Sequence, residues 1–111
     1  MSTRPTEFTA TADTRRALRE QLYTLFGRQV KELRITRVTW PEGKKWVAMV
    51  IGTHGREVPV RDSGLHHQAA LVMGAAFPAA NWSKAQDYDV ATGVLREHVV
   101  RRPAALRGDD R

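Results

Sequence analysis

Residues 62–82, reading DSGLHHQAALVMGAAFPAANW, form the longest apolar stretch of the 111-residue chain and restrict its architecture more than any other segment. Asp62 or Ser63 can accept a hydrogen bond from the free N–H groups of a first helical turn, and Pro78 forbids continuation, so the spacing predicts a helix over residues 63–77. Leu65, Ala69, Val72, Met73 and Ala76 recur at the 3.6-residue period. Ala70, Leu71, Gly74 and Ala75 leave the other side small and uncharged. A helix without Asp, Glu, Lys or Arg between Leu65 and Phe77 is expected to be mostly buried, and a sheet is its natural partner.

The flanking segments supply that sheet. Thr11 or Asp13 can cap an earlier helix that runs to Phe26, with Leu18, Leu22, Leu25 and Phe26 as its apolar stripe and Gly27 as a left-handed stop. Arg16 is placed to pair with Glu20 one turn on. From Lys31 the period changes to two: Leu33 and Ile35 alternate with Arg34 and Thr36, and then Val38 and Trp40 carry the apolar side. That change of parity predicts a bulge or bend. Residues 41–45 read as a turn, 46–53 as a central strand, and 56–61 as a short strand in which Pro59 removes a ladder donor. Residues 82–90 and 94–100, joined through Gly93, are a candidate second hairpin whose first part is irregular.

The expected fold is therefore α+β: an N-terminal helix, an antiparallel three-strand meander, the buried central helix and a C-terminal β-hairpin in a two-layer sandwich. One domain over residues 13–100 fits the chain length, with flexible segments at 1–12 and 101–111. The chain has no cysteine, which excludes disulfides, thiolate metal sites and thiol nucleophiles. No apolar run approaches the ~20 residues needed to span a bilayer, and the N-terminus lacks a signal-peptide core, so a cytoplasmic protein is expected.

Charge is distributed unevenly. Through Arg61 there are 12 Lys and Arg against 6 Asp and Glu; from Asp62 onward the counts are 6 and 6, so the net charge of +6 belongs to the first half. A localised positive surface points to a polyanionic partner, nucleic acid first. Arginine makes up 14 of the 18 basic residues and alanine is equally frequent at 14, a pattern that GC-rich coding also produces, so location carries more weight than number.

Catalytic and metal-binding patterns are poorly represented. His66 and His67 are adjacent and so point about 100° apart on a helix, unlike an i, i+4 ligand pair. Asp62, Ser63 and His66 crowd one helix start, where capping accounts for them, and there is no G-x-S-x-G elbow and no glycine-rich phosphate loop ahead of a helix. Asp87 and Asp89 share one side of a strand, with Glu97 across the hairpin, where pairing with Arg96 or Lys84 is expected. No catalytic residue, metal or cofactor is called for.

The basic set combines number with location: Arg34 and Arg37 on the first long strand, Lys44 and Lys45 at the hairpin tip, Arg56 and Arg61 on the next strand, and Trp40 and Trp46 bracketing the turn. A basic tip with aromatics at its base suits phosphate contact or stacking of an unpaired base. For the tryptophans a cross-strand aromatic pair is the simpler expectation. Arg34 and Arg37 share a face only if the bulge intervenes.

The order helix, three-strand meander, helix resembles in topology that of small nucleic-acid-binding α+β folds, including the double-stranded-RNA-binding domain. The second helix departs from that pattern: it opens Asp62-Ser63-Gly64-Leu65-His66-His67 and contains no Lys or Arg. The sequence leads to a small, basic, non-enzymatic nucleic-acid-binding accessory or regulatory protein that contacts phosphates through its N-terminal half. The alternative is a protein-interaction module, a homodimer or a subunit of a larger assembly, using the apolar central helix or a sheet edge.

Overall fold

In the computed structural model, which describes residues 7–98, the elements run β1 (Glu7–Thr9), α1 (Ala12–Phe26), β2 (Val30–Trp40), β3 (Gly43–Gly52), β4 (Glu57–Val58), α2 (Ser63–Ala76), β5 (Gln86–Asp89) and β6 (Val94–Glu97). The class is α+β, with two helices and a six-stranded antiparallel sheet in the order β1-β6-β5-β2-β3-β4.

Local chemistry sets the helix ends. Thr11 caps α1 by accepting from the Thr14 N–H at 3.1 Å, and Gly27 ends it at φ 71°, with its N–H bonded to the Tyr23 carbonyl. Asp62 caps α2 through the Gly64 N–H at 2.8 Å, and Pro78 follows one residue after its C-cap, Phe77. Arg16 turns back to Asp13 at 3.4 Å instead of forward to Glu20. Both partners are largely exposed, so the pair adds little.

Leu18 and Leu22 of α1 and Ala69, Ala70 and Met73 of α2 pack with Leu33, Ile35, Ala48, Val50, Tyr88 and Leu95. Those strand residues share one parity, so both helices cover the same face of the sheet. Phe77 joins the core and meets Tyr88 at 5.6 Å and Phe8 at 6.4 Å between ring centroids. Among the described residues no helix lies over the other face, which carries Glu32, Arg34, Thr36, Val38, Val47, Met49 and Ile51, all half-exposed.

Several expectations are corrected. Residues 7–9, assigned to a flexible lead-in, form β1, because Phe8 buries its ring against Phe77 while Glu7 and Thr9 pair with Arg96 and Val94. Central helix α2 is less enclosed than expected: Leu71 is 58% exposed. The bulge expected between Ile35 and Val38 is absent, and the register shift lies at the start of β2, between Val30 and Glu32. Lys44 and Lys45, expected in the turn, already pair with Thr39 and Val38, leaving Pro41 and Glu42 as the connection and Gly43 at φ 132°, a value L side chains rarely adopt. Strand β4 is only two residues long because Pro59 follows it. The expected final strand ends at Glu97, and Val99, Val100 and the tail lie outside the described residues.

Candidate nucleic-acid interface

The site grows out of unequal strand lengths. β2 pairs with β3 as far as Trp40 and Gly43, but β5 reaches only Ile35 of β2, and β4 meets β3 only at Val50 and Ile51. Residues 36–40 and 43–47 therefore continue as a two-stranded arm. Without a bulge, its side chains alternate strictly between faces. Arg37 and Trp46 lie opposite each other on the face shared with the helices, as do Thr39 and Lys44, whereas Val38 and Lys45 occupy the open face.

This register separates the two tryptophans. Trp40 faces Gly43 across the ladder and Trp46 faces Arg37, so the expected cross-strand aromatic pair does not form. The Arg37 guanidinium instead sits 5.8 Å from the centre of the Trp46 ring, an exposed cation–π contact worth ~0.5–1 kcal/mol. Arg34 and Arg37, lacking the bulge, fall on opposite faces. Trp40 is 46% exposed.

Beside the arm, the outer edge of β3 bounds a hollow of about 550 Å³ lined by Trp40, Glu42, Lys44, Lys45, Trp46, Val47, Ser63, His66 and His67. His66 fixes its inner wall. The Nδ1 atom accepts the Ala48 N–H at 2.9 Å, which requires the proton on Nε2, and Nε2 donates to the Val60 carbonyl at 2.8 Å. The ring thus joins β3 to the chain leaving β4. His67, one residue on, is exposed at the hollow's rim.

At the other end of β3 a second hollow, of about 930 Å³, is lined in part by Arg28, His54, Arg56, Glu57 and Arg61. It forms where the loop after α1 meets the turn between β3 and β4, in which Gly55 takes φ 80° and donates to the Gly52 carbonyl. Arg56 and Arg61 are brought together here with Arg28, away from Lys44 and Lys45.

Arg34 is placed differently again. Its Nε donates to Asp87 Oδ1 at 2.7 Å on the open face, and Asp87 Oδ2 lies 2.8 Å from His98 Nδ1. The guanidinium is engaged within the fold. Asp89 accepts from the Ala91 and Thr92 N–H groups, Glu97 lies on the other face 3.9 Å from Lys84, and Arg96 pairs with Glu7 at 2.9 Å. Asp87 and Asp89 thus pair with neither Arg96 nor Lys84.

The sheet order sorts these charges. Residues 28–61, which build β2, β3 and β4, contain eight cations, Arg28, Lys31, Arg34, Arg37, Lys44, Lys45, Arg56 and Arg61, against Glu32, Glu42 and Glu57. Among the described residues only Arg34 of those eight has a carboxylate within ion-pair distance. Across the sheet, Glu32, Asp87 and Asp89 line a hollow of about 350 Å³ together with Arg96. Among the described residues the excess of cations belongs to the β2–β3–β4 half and not to the β5–β6 side.

Arg28, His54, Glu42, His66 and His67 were not singled out as interface residues from the sequence. Arg28 and His54 meet only because two separate turns converge, a proximity without a local signature. His66 gave one signal, a polar ring in the first turns of an otherwise apolar helix. No protein-family model, curated protein or solved structure matches the chain. None of the described helices is long and apolar enough to cross a membrane.

Proposed function

We propose that the protein binds nucleic acid, chiefly through phosphates, using the β2–β3–β4 half of its sheet, and acts as a non-enzymatic accessory or regulatory factor. The observation that carries this reading is the segregation of charge: seven of the eight cations within residues 28–61 have no carboxylate partner among the described residues, and five of them line the hollows at the two ends of β3. Cations so arranged release the counterions condensed on a polyanion, and binding then falls steeply with salt. Lys44 and Lys45 at the arm and Arg56 and Arg61 on either side of β4 are the contacts, with Arg37 above Trp46 at the arm. Arg34, held by Asp87, is the member of the original set with the least to offer.

The test is a titration of labelled duplex and single-stranded oligonucleotides at several salt concentrations, repeated with Lys44→Glu and Lys45→Glu. Each lysine replaced should lower the log–log salt slope by about 0.7–0.9. Absence of binding at low salt to either form would remove the reading.

A second reading, as a protein-interaction module, draws on a different feature. Because β4 covers only Val50 and Ile51, the outer edge of β3 over residues 43–47 carries no strand among the described residues, and an extended segment of a partner could add there. Exposed lysines on that edge oppose pairing with a second basic copy. A mass by light scattering that exceeds 12.5 kDa at working concentration would favour this reading in its homodimer form.

A further inference from the structure

Resting on the nucleic-acid reading, we propose that the ligand is an unpaired strand, with one base stacked on Trp40 and the flanking phosphates on Lys44 and Lys45. The chain has three tryptophans, and two are committed within the fold: Trp46 lies beneath Arg37, and Trp82 donates its Nε1–H to the Phe77 carbonyl at 3.0 Å. Trp40 has no ring and no cation against it among the described residues, and it stands 46% exposed at the end of β2. By register Trp40 shares the open face with Lys45, and Lys44 projects from the other face of the same edge, yet all three line the one hollow. An exposed indole beside lysines is an aromatic platform for a nucleobase, whose face is available only when the base has left a duplex stack.

The surroundings fit the same ligand. At about 550 Å³ the hollow lies within the ~300–1,000 Å³ of pockets that enclose a small organic molecule, enough for a base with its adjoining phosphates. Duplex reading is poorly served. α2 has no Lys or Arg with which to enter a groove, and α1 offsets Arg15, Arg16 and Arg19 with Asp13 and Glu20. At the leading point of the arm stands Glu42, which phosphate walls would repel if the arm entered a groove tip first, but which can accept a hydrogen bond from the N–H edge of a single base.

The reach of the site follows from strand geometry. Lys44 and Gly52, at the two ends of β3, are eight residues apart, or ~27 Å at the usual rise. Arg28, Arg56 and Arg61 stand together at the far end of that length, around the hollow beside Gly52. A strand running from Trp40 along the β3–β4 side would cover several nucleotides, within the ~4–16 typical of single-strand binding domains.

The experiment measures fluorescence anisotropy with labelled single strands of 4, 8 and 16 nucleotides and a blunt 16-base-pair duplex, for the wild type, Trp40→Ala and Trp40→Phe. Thermal melts verify that each variant is folded. The expected result is tighter binding of the single strand than of the duplex, a roughly 5- to 100-fold loss for Trp40→Ala on the single strand with no change on the duplex, and substantial recovery in Trp40→Phe. Binding of both forms with equal strength, unaffected by Trp40→Ala, would overturn the stacking proposal and leave phosphate binding in place. Displacement of the oligonucleotide by polyglutamate at equal charge would overturn it as well, since a protein-like polyanion has no base to stack. Failure of the wild type to bind either form would overturn both this proposal and the reading beneath it.

Discussion

His66 and Ala48 are joined by a hydrogen bond from the Ala48 backbone N–H to the imidazole Nδ1 at 2.9 Å, at a point where β3 has outrun β4 and its outer edge has no strand among the described residues. The same ring donates through Nε2 to Val60, so one side chain satisfies two backbone groups that a longer β4 would have paired. Replacing His66 with Ala should cost ~1–3 kcal/mol, because both groups are part-buried and lose their partners together. Asn at this position can restore an acceptor for Ala48 without reaching Val60, and should fall between the two in a thermal melt. An unchanged melting temperature for His66→Ala would show that water replaces the ring at no cost.

The Tyr88 hydroxyl is buried and has no hydrogen-bond partner among the described residues, and burial pushes its pKa above the ordinary value of 10.0, with Arg15 and Arg19 opposing the shift. The raised group holds its proton in the folded state at a pH where the unfolded chain releases it. Its stability contribution is therefore intact below pH ~10 and is lost as pH rises through the folded value. Tyr88→Phe removes the unpartnered oxygen while keeping the ring against Phe77, and should stabilise the protein by ~1 kcal/mol at neutral pH and lessen its loss of stability above pH 10. Urea denaturation at pH 7 and pH 11 measures both effects. A lower midpoint for the Phe variant at pH 7 would contradict the assignment.

Arg34 and the arm lysines carry the same charge and should behave differently. Arg34 is half-buried and bonded to Asp87, so Arg34→Ala should lower stability by ~1–2 kcal/mol and leave the salt slope of nucleic-acid binding unchanged. Lys44→Ala and Lys45→Ala, at exposed positions without carboxylate partners among the described residues, should do the opposite: reduce the slope and leave the melting temperature within about a degree. Denaturation and salt titration on the three variants separate the two roles. A reduced slope for Arg34→Ala would place its guanidinium among the phosphate contacts.

Helix boundaries were legible in the sequence because their determinants are local: Thr11 and Gly27 for one helix, Asp62 and Pro78 for the other. Strand parity misled at one place. The apolar residues Leu33 and Ile35 give way to Val38 and Trp40 without any break in register, since the chain beyond Ile35 has left the helix-covered core and its apolar side chains turn to the open face. A one-dimensional pattern records the change of side but not its cause, so a bulge was inferred where the sheet simply ends on one flank. β1 was missed for a related reason. Its one apolar anchor, Phe8, packs against the core beside Phe77, 69 positions away in sequence. The interface was legible as residue types at the hairpin, but the withdrawal of Arg34 depended on Asp87 arriving from β5, and the grouping of Arg28 with Arg56 depended on two turns meeting.

Two glycines of the described structure should respond to alanine in opposite ways. Gly74 lies inside α2, where an added Cβ meets nothing within 4 Å, so Gly74→Ala gains helix propensity and narrows the unfolded ensemble. A gain of ~0.5–1 kcal/mol is expected. Gly93, in the β5–β6 turn, has φ 75°, and an added Cβ would stand 3.0 Å from Arg15 Cδ and 3.5 Å from Ala10 Cβ. The left-handed conformation alone costs an L residue ~1–2 kcal/mol, and relieving the contact means moving the Arg15 side chain, whose Nη1 donates to the Ala91 carbonyl at 3.4 Å. Ala10 Cβ is at ordinary van der Waals distance and need not move, but its N–H donates to the Gly93 carbonyl at 2.8 Å where the chain leaves β1, so strain at Gly93 is passed to that bond. Gly93→Ala should therefore lose at least ~1–2 kcal/mol and loosen the docking of β1 on β6, which hydrogen exchange of the Ala10 amide reports directly. Equal stability of the two variants would mean that the turn relaxes around the new methyl group.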